Sequence, residues 1–336
     1  MKAVRERAHD MGRYCLNIHA TYACAHSGAC CTSGWPIPVE RPLQSAVARH
    51  LLPVAGQAFR TAAAPDGSQV SILATTESGD CVFFERERGR LCAVHRTMGA
   101  ALLPAACRNF PRVALRDARG VFVTLSHYCP TAAQLLVPDR DIAIVQAPLT
   151  LTLDDQVEGL DATGVLPPLL RPGMLMTLDG YSAWEDAAVA TLNDRALTAR
   201  AAVRVIDAAT AAATGWRPGG GSLCGWIEAA FVSAREAART TTSDDRSFST
   251  LEHAAKRFLA AHVFANWSAY QAGGIGAVVQ WVESALETLE AQMAAARGAG
   301  GTEEEAFITA VRQTDFQLRH IRTDVSSGSL SPLRRD

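Results

Sequence analysis

The chain has 336 residues, 48% of them hydrophobic and 20% charged, with a formal net charge of −2. These values exclude the disordered and collagen-like classes. The near-neutral balance argues against a nucleic-acid coat or a polybasic membrane binder. The unusual number is nine cysteines, and eight of them (Cys15, Cys24, Cys30, Cys31, Cys81, Cys92, Cys107 and Cys129) precede residue 130, leaving only Cys224 beyond.

The opening residues MKAVRERAHD have no apolar core and no small-residue cleavage site, so they do not read as a secretory signal. No window approaches the roughly 18 uncharged apolar residues of a membrane span. The expected location is the cytoplasm, with no membrane partner. Thiols stay reduced there, and clustered cysteines read as metal-binding or redox residues, with disulfides or plain buried thiols as the alternative. Residues 1–140 hold 16 Lys/Arg and 10 Asp/Glu, net +6, whereas 141–336 hold 16 and 24, net −8. Six of the nine histidines also fall in the first part. The division predicts a cysteine-cluster metal-binding module over 10–140, a helical domain over 141–325 and a disordered tail over 326–336.

In chain order, 41–60 reads as an amphipathic helix, with Leu43, Val47, Leu51 and Val54 at helical spacing. Residues 81–94 read as a hairpin carrying Cys81 and Cys92 on its two arms, and 107–112 as a tight loop. Residues 121–125 (VFVTL) read as a strand. Pro130 suits the first position of a helix running through 136. Helical segments follow at 185–194, 195–214, 223–239, 250–269, 277–297 and 303–323. Gly/Pro clusters separate several of them, such as WRPGGG at 216–221. A polar stretch at 240–245 leads into the helix near 250. The expected fold class is mainly α: an irregular cysteine-rich metal-binding module with short β-hairpins, packed on a C-terminal helical bundle.

Cys24, Cys30 and Cys31 fall within eight residues and can reach one ion with little chain ordering, and Gly28 lets the loop turn sharply. His26 is either a further ligand or a loop histidine that binds nothing. Cys81, Cys92, Cys107 and Cys129 form a second, wider set. There is no CxxC…CxxC, so a standard zinc ribbon or finger is not expected. P-loop, HExxH and Gly-rich dinucleotide motifs are also absent, so an ordinary Rossmann methyltransferase is not expected. Cys224 reads as a buried helical thiol.

The ordered pattern is Cys24…Gly28-x-Cys30-Cys31, Cys81-x-Phe83, Leu91-Cys92, Cys107-Arg108-x-Phe110-Pro111-Arg112 and Ser126-x-x-Cys129-Pro130. It resembles the YkgJ-type cysteine-cluster family, described as a zinc- or iron-chelating domain. Within that family it is most similar to the flagellin lysine-N-methylase group, over roughly residues 20–137. His262–Tyr270 (HVFANWSAY) is a faint echo in the helical part. The first cluster departs from the family's CxxCGxCC because Ser27 replaces its second cysteine. Seven family-matching thiols remain, Cys24, Cys30, Cys31, Cys81, Cys92, Cys107 and Cys129, with Cys15 and His26 as the candidates to substitute for the missing one.

Thiolate ligation favours zinc or an iron–sulfur cluster over hard cations. Seven ligands allow one four-cysteine site and one three-cysteine site with an open position. The resemblance implies an iron–sulfur cluster, of the 4Fe–4S type, and S-adenosylmethionine-dependent methylation of a protein lysine in a flagellin-like substrate. The alternative is a non-catalytic chelating protein with structural zinc or iron. Arg108 and Arg112 flank the cysteines and are the candidates for holding a cofactor carboxylate; Arg96 reads as solvated charge. Trp35 reads as packing.

Overall fold

A computed structural model describes residues 12–50, 58–63, 67–87, 89, 91–154, 157–239 and 249–321. Strand β1 (Arg13–Leu16) is followed by helix α1 (Arg41–His50), a hairpin of β2 (Phe59–Ala63) and β3 (Gln69–Leu73), and a shorter hairpin of β4 (Phe84–Glu85) and β5 (Leu91–Cys92). Two short helices, α2 (Ala93–Met98) and α3 (Ala105–Asn109), lead into β6 (Arg112–Asp117) and β7 (Gly120–Leu125). After α4 (Pro130–Gln134) come β8 (Ile144–Gln146), β9 (Glu158–Asp161) and the small pair β10 (Leu169–Arg171) and β11 (Met174–Leu175). Then follow α5 (Leu178–Asn193), α6 (Ala199–Ala213), α7 (Leu223–Arg239), α8 (Glu252–Val263), α9 (Ile275–Gly298) and α10 (Glu303–Phe316), which ends in a π-helical turn over Gln317–Ile321.

Five strands form one mixed sheet in the order β8-β1-β7-β6-β9. β1 runs parallel to β7 and β6 parallel to β9, while the β8–β1 and β6–β7 pairs are antiparallel. Gly159 has φ +143°, and a Cβ there would lie 1.8 Å from the Ala114 carbonyl oxygen. The close approach of β9 to β6 therefore needs a glycine.

The expected mainly α class is wrong. The chain is about 49% helical and carries this five-stranded mixed sheet, which makes it α/β. No irregular cysteine-rich metal module is shown: the cysteines sit on regular hairpins, short helices and the loops between them. Among the described residues, no three or more His, Cys, Asp or Glu side chains are grouped so as to hold a metal ion. The sheet was missed because its central pairing joins β1 to β7, far apart in the chain, and no local period reports such a pairing.

Local expectations divide in the same way. Strand 121–125, the Pro130 helix start and helix 223–239 are present; the 81–94 hairpin is present only as Phe84–Glu85 against Leu91–Cys92, with Cys81 ahead of the first strand and Ala93 already in α2. Of the helix expected at 41–60, Arg41–His50 is helical, and Phe59 and Arg60 belong to β2; residues 51–57 lie outside the described residues. Cys107 stands on α3 rather than in a tight loop. α5 begins before residue 185 because Thr177 caps it, its hydroxyl accepting from the Gly180 amide at 3.1 Å. α8 stops at Val263, where Phe264 turns extended and Ala265 takes φ +56°. The 240–245 stretch and the 326–336 tail lie outside the described residues.

One core joins the sheet to the helices. Leu16, Ile18, Leu115 and Phe122 pack with Trp184, Ile206, Phe258, Leu289 and Phe307. Burying each such side chain is worth about 1.5–3 kcal/mol. Trp184 also satisfies its one polar atom, with Nε1 donating to Thr210 Oγ1 at 2.9 Å. Arg119 ties the β6–β7 turn to α5 by pairing with Asp117 at 2.9 Å and Glu185 at 3.2 Å. A smaller core of Val39, Leu43, Val47, Leu73, Phe83 and Val94 holds α1, the hairpins and α2 together. Among the described residues no helix is long and apolar enough to cross a membrane.

Candidate functional site

The cysteines are brought together by backbone contacts between short elements. Gly28, at φ 75°, turns the chain into a 3-10 turn over Ala29–Cys31. The Cys31 carbonyl accepts from the Cys81 amide at 2.7 Å, and Cys81 also bridges to Thr75. Phe84 pairs with Cys92 across the hairpin. Cys81, Cys92 and Cys107 then pack against the smaller core. Cys129 occupies the cap position of α4, with Pro130 as the first helical residue.

These elements enclose a cavity of about 360 Å³. Cys24, Cys30, Cys31, Cys81, Cys92, Cys107 and Cys129 all line it, together with Tyr22, His26, His95, Arg108 and Arg112. All nine cysteines are free thiols. Cys15 stands apart, fully buried in β1 between Val123 and Val145, and burial pushes its thiol up to about 11. Cys224 is on the first turn of α7 as a half-buried rather than a buried thiol.

The lining thiols differ in their readiness to ionise. A hydrogen bond from Cys31 lowers Cys92 to about 7, and amides at the start of α2 help. The same neighbour lowers Cys30. Cys31 itself is held protonated by its bonds to Cys30 and Cys92. Burial raises Cys81 to about 11, and also raises Cys107 and Cys129. Tyr22 Oη lies 3.8 Å from Cys129 Sγ. Such a set cannot all be thiolate without a compensating positive centre.

The donor chemistry, seven thiols around one cavity with Cys30 and Cys92 lowered, fits a thiolate-bound centre.

The two candidate arginines have different surroundings. Arg108 is committed to Asp154 at 2.6 Å and to the Leu103 carbonyl at 2.8 Å. Arg112 lies over the Tyr22 ring at 5.4 Å, and its buried Nε has no hydrogen-bond partner. Arg96 pairs with Glu85 at 2.7 Å. A groove of about 920 Å³ adjoins the cavity, sharing Cys30, Cys107, Phe110 and Arg112, and adding Trp35, Glu40 and Glu158. Trp35 packs on Tyr128 and Phe110, with ring centroids 5.0 and 5.4 Å away.

Two features escaped the sequence reading. His95 follows Cys92 at i+3 on α2, a helical spacing that could have flagged it, and its ring lies 5.0 Å from that of His26. Behind the Ser126–Pro130 segment is a buried polar network. Asp315 accepts from Ser126 Oγ at 2.5 Å, the Tyr128 amide at 3.2 Å and Arg319 at 3.0 Å. His262 lies 3.5 Å from it, which places the start of the His262–Tyr270 segment beside the Ser126-x-x-Cys129 motif. His19 and His127 are fully buried with their Nε2 atoms 3.1 Å apart. Comparison with known proteins finds no family, no curated protein and no solved structure that matches this chain.

Proposed function

We propose that the chain is an iron–sulfur protein that uses S-adenosylmethionine to methylate a protein lysine, with the thiol cavity as its centre and the adjoining groove as its substrate site. The observation that carries this reading is the gathering of Cys24, Cys30, Cys31, Cys81, Cys92, Cys107 and Cys129 around one cavity. The cysteine pattern's likeness to the flagellin lysine-N-methylase group supports the reaction. A cluster ligated by three thiolates keeps one iron open and supplies one-electron chemistry.

The chain's own residues have separate tasks. Cys30 and Cys92, whose thiols are lowered, are ready thiolate donors, and a bound metal would be held by these and the other cavity thiols in deprotonated form. Arg112 offers its unpartnered Nε–H to the carboxylate of the methyl donor. Glu40 places a carboxylate in the groove for a lysine ammonium. Trp35, Ile37 and Phe110 give the groove an apolar wall against which a substrate chain excludes water.

A second reading, one structural zinc, is favoured by the direct contact of Cys31 with Cys30 and Cys92. Anaerobic purification separates the two. A brown protein holding iron and acid-labile sulfide, and cleaving S-adenosylmethionine on reduction, is expected. A colourless protein with stoichiometric zinc and no cleavage would overturn the proposal in favour of zinc.

A further inference from the structure

A second cavity, of about 230 Å³, lies where β7 and β9 meet α8, α9 and the turn after α10. No cysteine lines it. Its walls combine Phe264, Trp267, Trp281 and Leu318 with His262, Arg319 and Glu158.

The polar groups are left with unused capacity. Trp281 Nε1, which can only donate, gives its proton to His262 Nδ1 at 2.8 Å. The neutral ring therefore carries its own proton on Nε2. That atom lies 3.5 Å from Asp315 Oδ1 and makes no hydrogen bond, although the side chain is 0% exposed. Arg319 is 10% exposed and spends Nε on Asp315, leaving its terminal nitrogens without a hydrogen bond among the described residues. Asp315 is already satisfied by Ser126, the Tyr128 amide and Arg319. Glu158 is held in β9 by its backbone, and its carboxylate has no hydrogen bond or ion pair among the described residues. It stands within electrostatic reach of Arg319 without pairing to it. Donors and a carboxylate that face one small space and do not satisfy each other call for a ligand bearing both complements.

We propose that this cavity binds a small zwitterion of the α-amino-acid class. Arg319 and His262 Nε2–H hold the ligand's carboxylate, Glu158 holds its ammonium, and Trp267 and Phe264 pack on its side chain. The space admits a molecule of free amino-acid size, and the aromatic rings reinforce the cationic end. This assignment does not depend on what the thiols bind.

The test is calorimetric titration of the full chain with each common L-amino acid, and then with the des-amino acid and the carboxamide of any that binds. At least one amino acid is expected to bind, and each of its two truncated analogues at least about tenfold more weakly, the equivalent of one lost charged hydrogen bond. Glu158→Gln, at an exposed position, is expected to weaken the amino acid about tenfold and leave the des-amino acid unchanged. Cys24→Ser, in the thiol cavity, is expected to leave amino-acid binding intact. The assignment is overturned if no amino acid binds, if the des-amino acid binds equally well, if Glu158→Gln has no effect, or if Cys24→Ser abolishes binding.

Discussion

Acidification is expected to destabilise this fold through histidines that cannot be protonated in place. His127 is fully buried, and burial holds its ring at about 3, against an ordinary 6.5. Between those values the unfolded chain binds a proton that the folded chain refuses. The stabilising contribution is thus whole above pH 6.5 and is lost as pH falls toward 3. Each unit of separation corresponds to about 1.4 kcal/mol, so His127 alone costs about 2 kcal/mol at pH 5 and about 4 kcal/mol at pH 3, where the folded ring is itself half protonated. His19 and His262 are buried and lowered for the same reason and add in the same direction. The assay is urea unfolding of the wild type and His127→Gln at pH 7.5 and pH 5. Glutamine keeps a polar group facing His19 but does not titrate. The variant is expected to be weaker at pH 7.5 and to lose about 2 kcal/mol less on acidification. The thiol cavity is common to both proteins, so its own pH response cancels in the difference. Equal losses in the two proteins would refute the reasoning.

Three other outcomes follow from named contacts. Gly159→Ala forces a methyl against the Ala114 carbonyl and should cost at least about 1–3 kcal/mol by overpacking, read as a lower thermal midpoint and fast amide exchange in β9. Thr302 forms a capping box with Glu305 at the start of α10, so Thr302→Ala should cost about 1 kcal/mol in urea unfolding. Cys31→Ala and Cys107→Ala should each lower bound metal, whereas Cys224→Ala on α7 should leave it unchanged; equal loss from all three would contradict the assignment of the centre.

What could be read from the chain alone follows the range of the interactions involved. Helix 223–239 and strand 121–125 are local, with composition and period agreeing, and both are present. Residues 112–117, RVALRD, suit a helix as well as a strand, and only pairing with β7 and β9 makes them β6. β1 is four residues long, and its identity depends on partners at 121–123 and 144–146. The thiols were conspicuous as residue types, and their shared cavity arises from the Cys81-to-Cys31 backbone bond and the fold of α3, which no spacing rule expresses. Asp315 was unreadable: it acts on Ser126, Tyr128 and His262 across long chain separations, and nothing in its own neighbourhood marks it.

The most direct test is X-ray absorption at the iron edge of the anaerobically prepared full chain. The account predicts stoichiometric iron in a sulfur environment, with iron–iron scattering from a cluster. Iron-free protein with all seven cavity thiols open to alkylation would contradict it.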